Sequence, residues 1–324
     1  MATTQVRTLK VGFLAAVLVL APLQTGLAEA DNQLDVIVPL GEGGALDRFA
    51  RTAEQFLPNV MDVDVSVENF APNSGRDGYR EFLNRSTDRS TVLAWFEPAA
   101  AAYQLGVALD DLTIINVQEI EPPILVANRD VGWRSLDDMV TAIRETPNTF
   151  RFGFGSRTGG GALLTATLLN NLDLEIIEAN YASGGKARKA LAKGEVDLTA
   201  GSLNAIRKLG DQVTPLAVFS PRRLRAWPEV PTVQEALGAD SDQAIQGAVY
   251  RFFAVRRTFA EAKPEAFRRL VQAFRRMTEE DPAFLANADR RGVGAQWLGP
   301  IASTSLIQRA HQHFSHLIAR QQRR

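Results

Sequence analysis

The residues best suited to hold a charged guest fall in two glycine-rich stretches. The first is Leu40-Gly41-Glu42-Gly43-Gly44, with Asp47 just beyond it. The second is Ser156-Arg157-Thr158-Gly159-Gly160. Each joins a strand-like run to a helix-like run. Glycine lets a backbone come close to a guest with its N–H groups turned outward. A helix start adds about half a positive charge. Together they make an anion site that needs no basic side chain. Arg157 adds a guanidinium suited to a salt bridge with a carboxylate. Two such turns, one from each of two lobes, would pinch the ends of a dicarboxylate. The plainer alternatives are that the glycines only make tight turns and that Asp47 only complements a helix dipole.

Other chemistries find less support. Neither turn has the Gly-Lys-Ser/Thr of a phosphate loop, and Gly153, Gly155 and Gly159 miss the dinucleotide spacing by one residue. Ser156 has Phe154 and Thr158 where a nucleophile elbow needs glycines. His311, His313 and His316 are the only histidines. They read as a solvated helix end and not as metal ligands, since no carboxylate stands at a helical step from them. Glu119 and Glu121, ahead of Pro122-Pro123, have the composition for acid–base work but read as loop polarity. Trp95 sits near a strand end and is a candidate for a cleft wall. There is no cysteine, which excludes disulfides, thiolate metal sites and lipidation at cysteine. A formal charge of −1 gives no support for nucleic-acid binding. Arginines crowd the C-terminal half, from Arg256 to Arg291, and read as solvated helix faces. No cofactor is expected.

Stepping outward, the elements needed to position these turns alternate along the chain. Strand-like runs at 34–40, 63–67, 91–96, 112–117 and 124–127 interleave with helical periods near 46–57, 79–84 and 136–145. The alternation continues with strands at 150–154, 174–179, 196–200 and 215–220 and helices at 162–171 and 186–193. The expected class is α/β, with mostly parallel sheets covered by helices. The tail is different: a strand-like run at 248–255 precedes long amphipathic helices from Pro264 and from Ser303. The chain is therefore expected to return to its first lobe. That places residues 31–133 and 250–324 in a discontinuous lobe 1 and 134–249 in lobe 2. Ahead of them, Arg7 and Lys10 precede the apolar run Val11 to Ala21, and small residues follow at Ala28 and Ala30. The run is short of the roughly 20 residues that span a bilayer. Residues 1–30 therefore read as a cleaved export signal, and the mature chain as periplasmic.

Five blocks resemble the substrate-binding component of tripartite tricarboxylate transporters, the Bug-type periplasmic proteins. IVPLGEGGALDRFAR is similar to the family's IVPF-x-PGG-x-x-D-x-x-AR opening. VENFAPNSGRDG, FGFGSRTGGGALLTATLL, NYASGGKARKALAKGEVDLTAG and LAVFSPRRLRAWPEVPTVQEALG follow in the family's order. The resemblance implies a two-lobed periplasmic-binding fold closing on a small carboxylate. It also implies recognition largely through backbone amides and waters, and delivery to a membrane permease. The implied ligand-binding set is the two turns, Asp47, and Tyr181, Ala182, Ser183 and Gly184 from the fourth block. A monomer is expected. A ligand sensor feeding a membrane kinase is the alternative, and a secreted hydrolase a more distant one. There are departures. Leu40 replaces an aromatic residue, Gly41-Glu42 a proline-rich stretch, and Ala182 a lysine. Lys186, near a usual proline, reads as a surface helix residue.

Overall fold

The computed structural model describes residues 32–70, 75–87, 89–97, 109–157, 159–291 and 296–322, all within one compact unit. The expected export signal and Thr158 lie outside the described residues.

The apolar run that opens the described chain forms β1, Gln33–Val38. Leu34, Val36, Ile37 and Val38 are fully buried, the mark of a strand covered on both faces. It pairs in parallel with β2, Asp64–Asn69, and with β3, Ser90–Glu97. Helix α1, Ala45–Phe56, crosses from β1 to β2, burying Leu46, Phe49, Ala50, Ala53 and Phe56 at helical spacing. Helix α2, Arg76–Asn84, leads to β3. Next comes β4, Leu112–Glu121, and the first sheet is completed late in the chain by β10, Val249–Arg256. Its strand order is β2-β1-β3-β10-β4, with β10 antiparallel to both neighbours.

A second sheet repeats the plan. Its strands are β5 (Ile124–Asn128), β6 (Arg151–Phe154), β7 (Ile177–Asn180), β8 (Leu198–Gly201) and β9 (Val213–Val218), in the order β7-β6-β8-β5-β9. Helices α3 (Leu136–Glu145), α4 (Gly160–Asn171), α5 (Gly184–Ala192), α6 (Leu203–Arg207) and α7 (Val233–Leu237) connect them. One core lies under α3 and α4, with Met139, Leu163, Leu164 and Leu168. Another lies under α5 and α6, with Ala190, Leu191 and Ile206. The fifth family-like block has a structural use here. Thr232 and Glu235 form a reciprocal capping box at α7, and Arg223 donates to Glu235 at 2.8 Å.

The chain passes between the sheets at Pro122-Pro123, which have no N–H to extend a ladder. It returns just before β10. The two crossings are tied: Phe219 N–H donates to Pro123 O at 3.0 Å and Gly247 N–H to Phe219 O at 2.9 Å. Helices α8 (Arg257–Ala262), α9 (Pro264–Glu279) and α10 (Pro282–Arg291) then pack on the first sheet. The last, α11 (Gly299–Gln322), serves both cores. Its Ile307 belongs to the first core and its Ala310, Phe314 and Leu317 to the second. A helix of that length, about 36 Å, is long enough to cross from one lobe to the other.

Two boundaries differ from the sequence reading. Residues 124–128 had been placed in lobe 1, yet β5 pairs with β8 and β9 of the second sheet, so the first crossing lies near 122–123. Helix α11 does not belong to lobe 1 alone. Both differences arise because an apolar run shows that it is buried and not which sheet buries it.

Candidate functional site

The first turn is shaped by Asp47. Its carboxylate, 3% exposed, accepts Gly43 N–H at 2.9 Å and Arg51 Nε at 3.1 Å. Gly43 adopts φ +70°, which suits glycine. Asp47 therefore closes the turn and takes up one of its amides. Gly41, Glu42, Gly43 and Gly44 are exposed, and Arg48 donates from Nη1 to Gly43 O. Leu40 is half-buried against the first core, and its carbonyl accepts Asn69 Nδ2 at 3.0 Å.

The second turn is closed by Gly159 N–H donating to Ser156 O at 3.0 Å. Ser156 and Arg157 are exposed, and Gly160 is buried as the first residue of α4. Arg157, expected to pair with a ligand carboxylate, pairs instead with Glu178 on β7, and its guanidinium stands over the Phe154 ring, 5.4 Å from its centroid. In the fourth block Ser183 caps α5, accepting Lys186 N–H at 3.2 Å. Ala182, Ser183 and Gly184 are exposed, and Tyr181 is half-buried, its N–H donating to Phe154 O at 2.8 Å. Gly155 brings the second turn against this helix start. A side chain at Gly155 would collide with the backbone of Ser183 and Gly184. Lys186 is exposed.

A cleft of about 740 Å³ lies between the lobes. Lobe 1 lines it with Ala45 and Arg48 of α1, Glu119 and Glu121 of β4, Arg251 of β10, and Arg290 and Arg291 of α10. Lobe 2 lines it with α5, through Gly185, Arg188 and Lys189, and with Ser202 and the α6 region. None of the residues expected in the two turns, nor Asp47, nor Tyr181 to Gly184, is among those lining the cleft; the lining residues nearest to them in sequence are Ala45 and Gly185. Its chemistry is that of side chains, eight cationic against two anionic.

The two anionic groups are already held. Glu119, 3% exposed, accepts Arg251 at 2.8 Å and Arg291 at 2.9 Å, and Arg251 also pairs with Glu121. Arg251 is held protonated by these two carboxylates against the effect of its burial. Among the described residues no cluster of His, Asp and Glu could hold a metal ion, and no helix is long and apolar enough to cross a membrane.

The profile described as the tripartite tricarboxylate transporter family receptor matches residues 52–321. The chain belongs to this family. The receptor is 28% identical to a UPF0065 protein of Bordetella pertussis over 80% of each chain. It is 25% identical to Protein BugT of the same organism over 69% of this chain and 71% of that one. Among solved structures it superposes on MatC from Rhodopseudomonas palustris with bound malate, TM-score 0.72, 16% identity, covering 88% of this chain and 98% of that one. An R. palustris protein with adipate gives TM-score 0.71 at 21% identity, over 90% and 95%. These likenesses establish the two-lobed α/β fold of periplasmic binding proteins. Family membership makes the chain a solute receptor and not an enzyme.

Several contacts in the receptor escaped the sequence reading. Glu119 and Glu121 are not loop polarity; they end strand β4 in an ion network at the cleft wall, Glu119 buried and Glu121 half-buried. Arg290 and Arg291 line the cleft, Arg290 exposed and Arg291 half-buried. Trp95 is fully buried in β3. The histidines are not a plain solvated helix end: His311 Nδ1 pairs with Glu97 Oε1 at 2.8 Å, and His313 Nε2 meets Gln246 O at 3.1 Å. Each partner lies 60 or more residues away in sequence, so no spacing rule could connect them. The one available signal was the alternation Gln118-Glu119-Ile120-Glu121 at the end of an apolar strand, which calls for a cation opposite.

Proposed function

We propose that the receptor captures a small organic carboxylate in the cleft between its lobes, outside the cytoplasmic membrane, and delivers it to the membrane permease of a tripartite transporter. The observation that carries this reading is the cleft itself, lined from both lobes and dominated by cationic side chains. Family membership supports it, as does the malate bound by MatC and the adipate bound by the second R. palustris protein. Exposed glycines at Gly41 and Gly44 on one side and Gly184 on the other offer a backbone contribution at two helix starts. The Gly43 amide is not among them, because Asp47 holds it. Lobe 1 comprises the first sheet with its helices, lobe 2 the second, and α11 is shared. Closure turns about the paired crossings at Pro122-Pro123 and Gly247-Tyr250, favoured by a guest that touches both walls. Residues 1–30 act as the export signal, cleaved near Ala28–Ala30.

The test is thermal unfolding of the purified receptor with malate, adipate, citrate and benzoate. A carboxylate at about a hundred times its dissociation constant adds roughly 3 kcal/mol, so at least one acid should raise the midpoint, while nucleotides should leave it alone. A midpoint unmoved by every acid would overturn the reading.

A further inference from the structure

The cleft holds more positive charge than one carboxylate needs. Among the described residues, no carboxylate pairs with the lining side chains Arg48, Arg188, Lys189, Arg207, Lys208 and Arg290. The two glutamates at the same site are taken by Arg251 and Arg291. The whole chain has a formal charge of −1, so this excess is local.

Arg188 stands out for how it is seated. It is half-buried on α5, against glycines from two elements. A Cβ added at Gly184 would stand 3.3 Å from its Nη1, and one added at Gly201 would stand 3.5 Å from the same atom. The guanidinium thus lies close beside both glycines, between the start of α5 and the end of β8. Burial first, and then the charge of Arg48 on the opposite wall, work against its protonated form. Arg48 and Arg188 thus line the cleft from different lobes, and neither pairs with a carboxylate among the described residues.

We propose that Arg48 and Arg188 form a two-guanidinium clamp that selects a small oligoanion carrying at least two carboxylates. The clamp rests on the carboxylate-receptor reading and sharpens it. Without a guest, mutual repulsion favours separated lobes. A guest with two carboxylates gives each guanidinium a charge-assisted partner and turns repulsion into bridging. A monocarboxylate satisfies one guanidinium and leaves the other to be desolvated unpaired on closure, which is costly. Discrimination follows from that second, unpaired charge.

Calorimetric titration of the purified receptor with citrate, malate and benzoate tests the clamp. The unsubstituted receptor should bind citrate or malate more tightly than benzoate. Arg48→Gln and Arg188→Gln should each weaken that binding by about ten- to a hundredfold, with a much smaller change for benzoate. Arg188→Lys should recover part of the loss. The ligand-free melting midpoint of Arg48→Gln should hold or rise, because a repulsion has been removed; a merely structural role would lower it. Unchanged affinity for the polycarboxylates, or equal losses for all three acids, overturns the clamp and leaves the receptor reading standing. Failure of every acid to bind the unsubstituted receptor removes the receptor reading and the clamp with it. Should Arg188→Gln fail to fold, Arg48→Gln decides alone, since its side chain is exposed.

Discussion

At the scale of single residues, burial dictates pairing. Glu97 is fully buried and accepts from His311, whose pKa is raised, first by that hydrogen bond. His313 is pushed the other way, first by burial, with the Gln246 carbonyl opposing. The two histidines thus have opposite linkage. The contribution of His311 is complete below the ordinary value of about 6.5 and fades as pH rises through its higher folded value. That of His313 is present above about 6.5 and is lost as pH falls through its lower folded value. His311→Gln should therefore lower the thermal midpoint more at about pH 5 than at about pH 9. Melting curves at the two pH values check this, and equal losses would show that the ion pair contributes nothing specific.

At the scale of elements, glycine decides which helix starts can meet. The second turn and the start of α5 touch because Gly155 has no side chain. Gly155→Ala should push α5 outward and cost about 1–3 kcal/mol, measured by denaturant unfolding; a neutral result would mean that the two elements do not depend on close contact. Elements of this kind were largely legible beforehand. Apolar alternation located β1, β3, β6 and α1 to within a few residues. It placed β7 at 174–179 where the ladder starts at Ile177, opposite Arg151, because pairing and not composition sets the first residue of an edge strand. The cleft lining was much less legible. Arg48, Arg188, Arg290 and Arg291 sit on three helices, α1, α5 and α10, and an arginine on a helix reads the same whether it faces bulk water or a groove. Only the assembled lobes separate those two cases.

At the scale of the whole molecule, α11 joins what the crossings keep apart. Ser303 Oγ accepts Val117 N–H at 2.9 Å in lobe 1, and Phe314 is fully buried in lobe 2. The lobes should accordingly unfold together. Phe314→Ala removes a buried ring at a cost of about 3–5 kcal/mol. It should also separate the unfolding of the two sheets, seen as two transitions by calorimetry where the unsubstituted receptor shows one. A single sharp transition in the variant would place the coupling at the crossings instead.

The glutamates that line the cleft have a further consequence. Because Arg251 and Arg291 pair with them, the proposed preference of the groove rests on cations carried by helix flanks, away from the strands and turns that make the fold. Such flanks tolerate exchange. On the proposed reading, exchanging Arg48 or Arg188 would alter what the groove accepts while the packed sheets beneath keep their form.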